Sequence, residues 1–158
     1  GSMNSYARLC SELFQSAQKS DHFKDLQIYY FHNCPYERLY TEPSCRIGFD
    51  VETNWALKNL SGEYKAIFVG DANMAPSELL IEGGSIAHYH YNERPGLAWL
   101  HDLKKKFNSS VWLNPLPQRY WSYSFTTTTI DIVRGVFPMF ELTLDGIDAA
   151  IEQLLKKR

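Results

Sequence analysis

Cysteine is scarce in this chain: its 158 residues include three, Cys10, Cys34 and Cys45, an odd number with no CxxC pair among them. That pattern argues against a disulfide framework and a thiolate zinc site, and makes a reducing cytoplasm the simplest compartment. Each cysteine reads instead as a small buried hydrophobe. Long apolar runs are missing too. None approaches the ~20 residues that span a bilayer, and no basic segment leads into an apolar one near the start, so neither a membrane span nor a signal peptide is expected. Charge of one sign is not in excess: 16 Lys and Arg stand against 18 Asp and Glu, a net charge of −2. A protein that grips nucleic acid through its phosphates needs a basic face, so no nucleic-acid partner is expected. The phosphate-binding patterns GxGxxG and GxxxxGK[ST], the hydrolase elbow GxSxG and the zinc helix HExxH are all absent, which removes the usual sequence support for those chemistries. There is no internal repeat and no low-complexity tract.

What is present is an ordinary globular composition, 44% hydrophobic and 22% charged, which excludes wholesale disorder. The length suits one domain whose core buries roughly 68–70% of the unfolded surface. Gly1-Ser2-Met3 reads as a residual expression scar followed by a start Met, leaving 4–158 as that domain. Aromatics reach 15%, ten of them Tyr, more than such a core needs.

Tyr6, Leu9, Cys10, Leu13 and Ala17 recur at helical spacing and predict a helix over 4–20. Leu26-Gln27-Ile28-Tyr29-Tyr30-Phe31 predicts a strand over 25–33, ended by Pro35, which has no N–H for a ladder. Weaker strands are expected at 37–41 and 45–49, around Glu42-Pro43-Ser44. Thr53 can cap a helix over 54–60. Ala66-Ile67-Phe68-Val69, within 64–70, is an unbroken apolar run of the kind covered on both faces. Pro76 opens a short helix to Leu80. Another helix follows Pro95, with Leu97, Leu100, Leu103 and Phe107 in one stripe. Ser110 to Leu113 is a buried strand stopped by Asn114-Pro115, and Trp112 is expected in the core. Residues 116–125 form a loop rich in Tyr and Trp. Thr126 or Thr127 caps a helix to Val136, Phe140–Leu142 adds an edge strand, and Thr143 caps a last helix with Ile147, Ala150, Ile151 and Leu154 inward. Alternating helices and short apolar strands predict a three-layer α/β/α, Rossmann-like fold with a mostly parallel sheet.

Ligands of open α/β sheets bind beyond the carboxyl ends of the strands. Asp71 leaves the best strand at that end, where a carboxylate can serve a hard cation such as Mg²⁺. Thr53, before the helix that precedes this strand, can bring a hydroxyl to the same rim, or serve simply as a cap. A rival grouping is His88, His90 and Glu93, with His101 further on: these are zinc-ligand types, but His88 and His90 are not at helical i, i+4 spacing. With Asp71 they would make a metal-dependent hydrolase. The aromatic stretch from Tyr120 and Trp121 to Phe125 can supply a contact surface.

Several stretches together resemble a known family. They are 29–34 (Tyr-Tyr-Phe-His-Asn-Cys), 67–72 (Ile-Phe-Val-Gly-Asp-Ala), Gly83-Gly84-Ser85, Asn92-Glu93 with Pro95-Gly96, 111–115 (Val-Trp-Leu-Asn-Pro), and Phe137-Pro138-Met139 leading to 142–146 (Leu-Thr-Leu-Asp-Gly). In this order they resemble the CoxE-like bacterial group of von Willebrand factor type A domains. The resemblance implies a non-enzymatic binding module with a metal-ion-dependent adhesion site at the carboxyl rim. There a Mg²⁺ or Mn²⁺ is held by an Asp-x-Ser-x-Ser loop, a Thr and a later Asp, and a partner's acidic side chain completes its shell. Asp71 would be the later Asp, Thr53 the Thr, and Ser2 a vestige of the loop. Ser85, His88, Glu93, Tyr120 and Trp121 would flank the partner face. Members of the group are linked to MoxR-type AAA+ ATPases and to the assembly or maturation of other proteins.

One departure matters. The family's first strand and its metal loop have no counterpart, so the expected fold is N-terminally truncated. That strand lies between the strands of 25–33 and 64–70, and its omission leaves backbone groups unpaired on both sides of a slot. Filling the slot by self-association through the open sheet edge is the expectation. A structural subunit binding no metal is the remaining alternative.

Overall fold

A computed structural model describes residues 24–83, 93–122 and 128–156, together with Tyr6, Arg8, Cys10, Ser11, Phe14 and Gln15. Those six residues are helical, within the helix predicted over 4–20, and Cys10 is buried. The other elements follow in order: β1 (Arg38–Tyr40), β2 (Asp50–Glu52), α1 (Thr53–Asn59), β3 (Ala66–Val69), α2 (Pro76–Leu80), α3 (Gly96–Lys106), β4 (Ser110–Asn114), a 3₁₀ turn (Gln118–Tyr120), α4 (Thr128–Val136), β5 (Met139–Glu141) and α5 (Leu144–Leu155).

Three strands form a parallel sheet in the order β3-β4-β5, with Ile67 opposite Val111 and Leu113 opposite Phe140. The side-chain period of two sends β4 to both faces, and all five of its residues are buried. Trp112 goes one way, into a cluster with Leu79 of α2, Leu100 of α3, and Ile130 and Val133 of α4. Val111 and Leu113 go the other way, against Ala150 and Leu154 of α5. The result is a mixed α/β architecture, a parallel sheet between helical layers, compatible with the Rossmann-like reading. The Trp112 ring stacks on Phe68 at 5.6 Å between centroids and donates its N–H to the Gly70 carbonyl at 2.7 Å, so its polar edge is satisfied inside the core. Each such fully buried large side chain contributes roughly 1.5–3 kcal/mol.

A second, antiparallel pair joins β1 to β2, with Leu39 opposite Val51. Here the structure corrects several expectations. The strand expected at 25–33 reduces to one bridge, in which Tyr30 and Tyr40 exchange backbone hydrogen bonds of 2.8 Å each. The composition favours an extended chain, but a ladder needs a partner along its length, and β1 supplies one residue. Residues 45–49 are not a strand either. Cys45 and Gly48 adopt φ of 51° and 93°, so the chain turns there and β2 begins at Asp50. Cys45 is half-buried rather than buried. Helix α1 starts at Thr53 itself, with Glu52 at the cap position and no side-chain cap bond. The last helix is capped as expected: the Thr143 hydroxyl accepts the Gly146 N–H at 3.0 Å. Ala150 and Leu154 face inward, but Ile151 is exposed, alongside Leu144 and Leu155. Thr126 and Thr127 lie outside the described residues.

Candidate functional site

The carboxyl end of the parallel sheet is built from the segments that leave β3, β4 and β5. After Val69 the chain runs through Gly70 to Asp71, and Ala72 takes a left-handed φ of 55° that swings it across the rim. The Asp71 carboxylate accepts the Asn73 N–H through Oδ1 at 3.0 Å, the local turn that Asp favours. Its backbone carbonyl accepts the Asn114 side-chain amide at 2.8 Å. Asn114, fully buried at the end of β4, also accepts the Leu116 N–H at 2.8 Å, so one side chain pins the exits of two strands together. From the first turn of α4, the buried Thr129 hydroxyl donates to the Ala72 carbonyl at 2.8 Å and accepts the Met74 N–H at 3.1 Å. Asp71 is thus held at the rim, half-buried, and among the described residues no hydrogen bond engages its Oδ2.

Thr53 is not part of this arrangement. It is fully buried, its hydroxyl donates to the Tyr36 carbonyl, and its N–H donates to the Glu37 carbonyl at 2.8 Å, so it fastens α1 to the entry of β1. No hydrogen bond or ion pair joins Thr53 to Asp71 among the described residues. Glu93 is exposed, and its N–H donates to the Glu37 carboxylate at 2.8 Å, again beside β1. Tyr120 is exposed, with the Arg119 guanidinium 4.7 Å over its ring. Trp121 is buried: its N–H donates to the Leu116 carbonyl at 2.6 Å, and Arg134 sits 5.1 Å over the ring. Burial leaves Trp121 no surface to offer a partner. Ser2, Ser85, His88 and His90 lie outside the described residues.

Among the described residues no group of three or more His, Cys, Asp or Glu side chains could hold a metal ion. Asp71 brings one carboxylate, while the Thr53 and Thr129 hydroxyls are spent on backbone carbonyls. Magnesium wants six near-octahedral oxygens, so these residues do not by themselves fit the implied ion.

Sequence reasoning missed Asn114, read only as a strand stop, and Thr129, the last of a run of four threonines whose first two read as caps. It also missed a buried cluster where β1, α2 and α3 meet. Glu78 is 4% exposed and accepts the Asn33 side-chain amide at 2.9 Å. The Tyr36 hydroxyl donates to the Glu78 carbonyl at 3.2 Å. Cys34 lies beside them, and burial, reinforced by the Glu78 carboxylate, pushes its thiol pKa far above the usual range. Burial, then Cys34, Glu78 and Glu37, does the same to the Tyr36 hydroxyl. A thiol so held is no nucleophile.

Comparison with known proteins found no matching family model, no matching curated protein and no matching solved structure. No helix among the described residues is long and apolar enough to cross a membrane.

Proposed function

We propose that the chain is a non-enzymatic protein-binding module of the von Willebrand A type, meeting its partner at the carboxyl rim around Asp71. The observation that carries this reading is the placement of Asp71: a half-buried carboxylate two residues beyond a parallel strand, on a rim fixed by Asn114 and Thr129. In an open α/β sheet that is where ligands gather. The exposed Tyr120 follows β4 on the same rim and suits a contact role. The resemblance would further have Mg²⁺ or Mn²⁺ link Asp71 to an acidic group of the partner, using oxygens that the described residues do not supply, and a MoxR-type AAA+ ATPase work beside it in assembly or maturation of another protein. The resemblance alone supports these two parts. Among the described residues no observation favours the hydrolase alternative that joins Asp71 to His88, His90 and Glu93.

Titration of the isotope-labelled chain with Mn²⁺ tests the metal-linked part. With one carboxylate in place, weak binding is expected, with paramagnetic broadening centred on the amides of Asp71 to Asn73. The Asp71→Asn variant keeps the acceptor for the Asn73 N–H but loses the charge, and it should abolish the broadening while preserving the fold. Broadening centred elsewhere, or unchanged by that variant, rejects the metal-linked role of Asp71.

A further inference from the structure

Helix α5 carries two apolar rows. Ile147, Ala150 and Leu154 pack against the sheet with Val111, Leu113 and Phe140. The other row is Leu144, Ile151 and Leu155, which are 83%, 37% and 65% exposed. Single exposed leucines are ordinary, but these three residues share one face. With Asp148 they recur at spacings of four, three and four residues, the repeat with which one helix packs along another. The row is about 16 Å long at ~1.5 Å per residue.

Charge of one sign lies within and beside this row. Asp145, Asp148 and Glu152 follow one another at helical spacing, and all three are exposed. Asp145 is in the first turn, where the helix dipole favours a carboxylate. Asp148 and Glu152 have no such support, and like charges four residues apart weaken a helix. The helix itself contains no base. Lys156 follows Glu152 by four residues, the order that favours an ion pair, yet its ammonium donates to the Gln153 side chain at 3.1 Å. Among the described residues no ion pair engages any of the three carboxylates.

We propose that this face of α5 docks a basic amphipathic helix of a partner protein, whose apolar seam covers Leu144, Ile151 and Leu155. Charge decides what sits there. A second copy pairing α5 with α5 in parallel would set Asp148 against its own counterpart across the seam. In an antiparallel pair Leu144 would meet Leu155, and the two-fold axis would keep both acidic flanks on one side, with Asp145 against Glu152 twice over. Either arrangement brings carboxylates together without a base between them. An anionic membrane surface is repelled by the same flank. A helix with Lys or Arg beside its apolar seam meets both demands, because its bases pair with Asp145, Asp148 and Glu152 while its seam removes the exposed row from water. The inference stands independently of Asp71.

Two synthetic helical peptides provide the test. Both carry leucines at the same seam spacing; one has Lys on its flanks and the other Glu. Titrated into the isotope-labelled full chain, the Lys peptide should shift the amides of Leu144 to Leu155, and the Glu peptide should bind at least about 10-fold more weakly. In a chain carrying Asp148→Lys and Glu152→Lys that preference should reverse. Leu155→Ser should weaken the Lys peptide about 10-fold. All three positions are exposed, and unchanged amide shifts at Val111 and Leu113 report an intact fold. Asp71→Asn should leave the affinity as it is, which separates this face from the rim. Binding of neither peptide, equal binding of both, shifts centred away from α5, or a preference that survives the charge reversal overturns the proposal. A dimer of the free chain that Leu155→Ser abolishes, seen by light scattering, would give the face to a second copy and overturn it as well.

Discussion

At the scale of single residues, position rather than residue type decides chemistry. Cys34 is 1% exposed, and burial together with the Glu78 carboxylate keeps its thiol protonated at neutral pH. Cys45 sits in the turn before β2, half-buried, with a smaller upward push from burial and from Glu42. Alkylation requires both access and thiolate, so the two should separate cleanly. At pH 8 under native conditions iodoacetamide should label Cys45 on the order of 10²-fold faster than Cys34, and denaturant should bring the rates together. Peptide mass mapping of a labelling time course reads this directly. Comparable native rates would show that the junction around Cys34 opens far more readily than its packing implies.

At the scale of elements, close backbone approach sets what a position tolerates. Gly146 lies in the first turn of α5, where its N–H is received by the Thr143 hydroxyl, and a Cβ built there would collide with the Glu141 carbonyl oxygen. Helix propensity favours alanine over glycine by about 1 kcal/mol. A clash with backbone cannot be relieved by turning a side chain, so β5 or the start of α5 must move. Gly146→Ala should therefore destabilise by roughly 1–3 kcal/mol despite the better propensity, visible as a lower urea midpoint. Nothing in the local pattern Thr-Leu-Asp-Gly announces that constraint. The same limit explains which features were legible in advance. Continuous apolar runs at 66–69 and 111–113 identify parallel strands because their composition requires two covered faces, and Thr143 is readable because a cap is a local device. Partner-dependent features are not local. Residues 25–33 have strand composition but pair through their backbone only with Tyr40 among the described residues, residues 45–49 turn on the left-handed Cys45 and Gly48, and Trp121 is buried in the core cluster of Trp112 and Phe137. The rim position of Asp71 was visible from the strand before it. The partners that hold that rim, Asn114 and Thr129, come from 43 and 57 residues away and could not be.

At the scale of the whole molecule, the two sheets share no ladder among the described residues; besides the packing of Phe31 on Trp112, they meet at a buried junction around Glu78. Asn33 and Tyr36 reach Glu78 from the side of β1, and Gly96 opens α3 against the same atoms. A Cβ on Gly96 would stand 2.9 Å from the Cys34 sulfur, 3.1 Å from the Tyr36 ring and 3.2 Å from the Glu78 carbonyl. The sulfur and ring can shift by tenths of an ångström, but only by carrying the segment 34–36, and with it the entry to β1, away from α3. Gly96→Ala should thus act on the junction rather than on either sheet. Regions with their own hydrogen bonds and few shared ones open separately, so the loss should be uneven. The amides of Tyr40 and Thr41, bonded to Tyr30 and Phe49, should exchange roughly 10-fold faster in the variant, while those of Trp112 and Leu142 in the parallel sheet change little. Uniform acceleration across both groups would mean that the sheets unfold as one cooperative body, and that the contacts at Glu78 bind them more tightly than two hydrogen bonds and a packed glycine suggest.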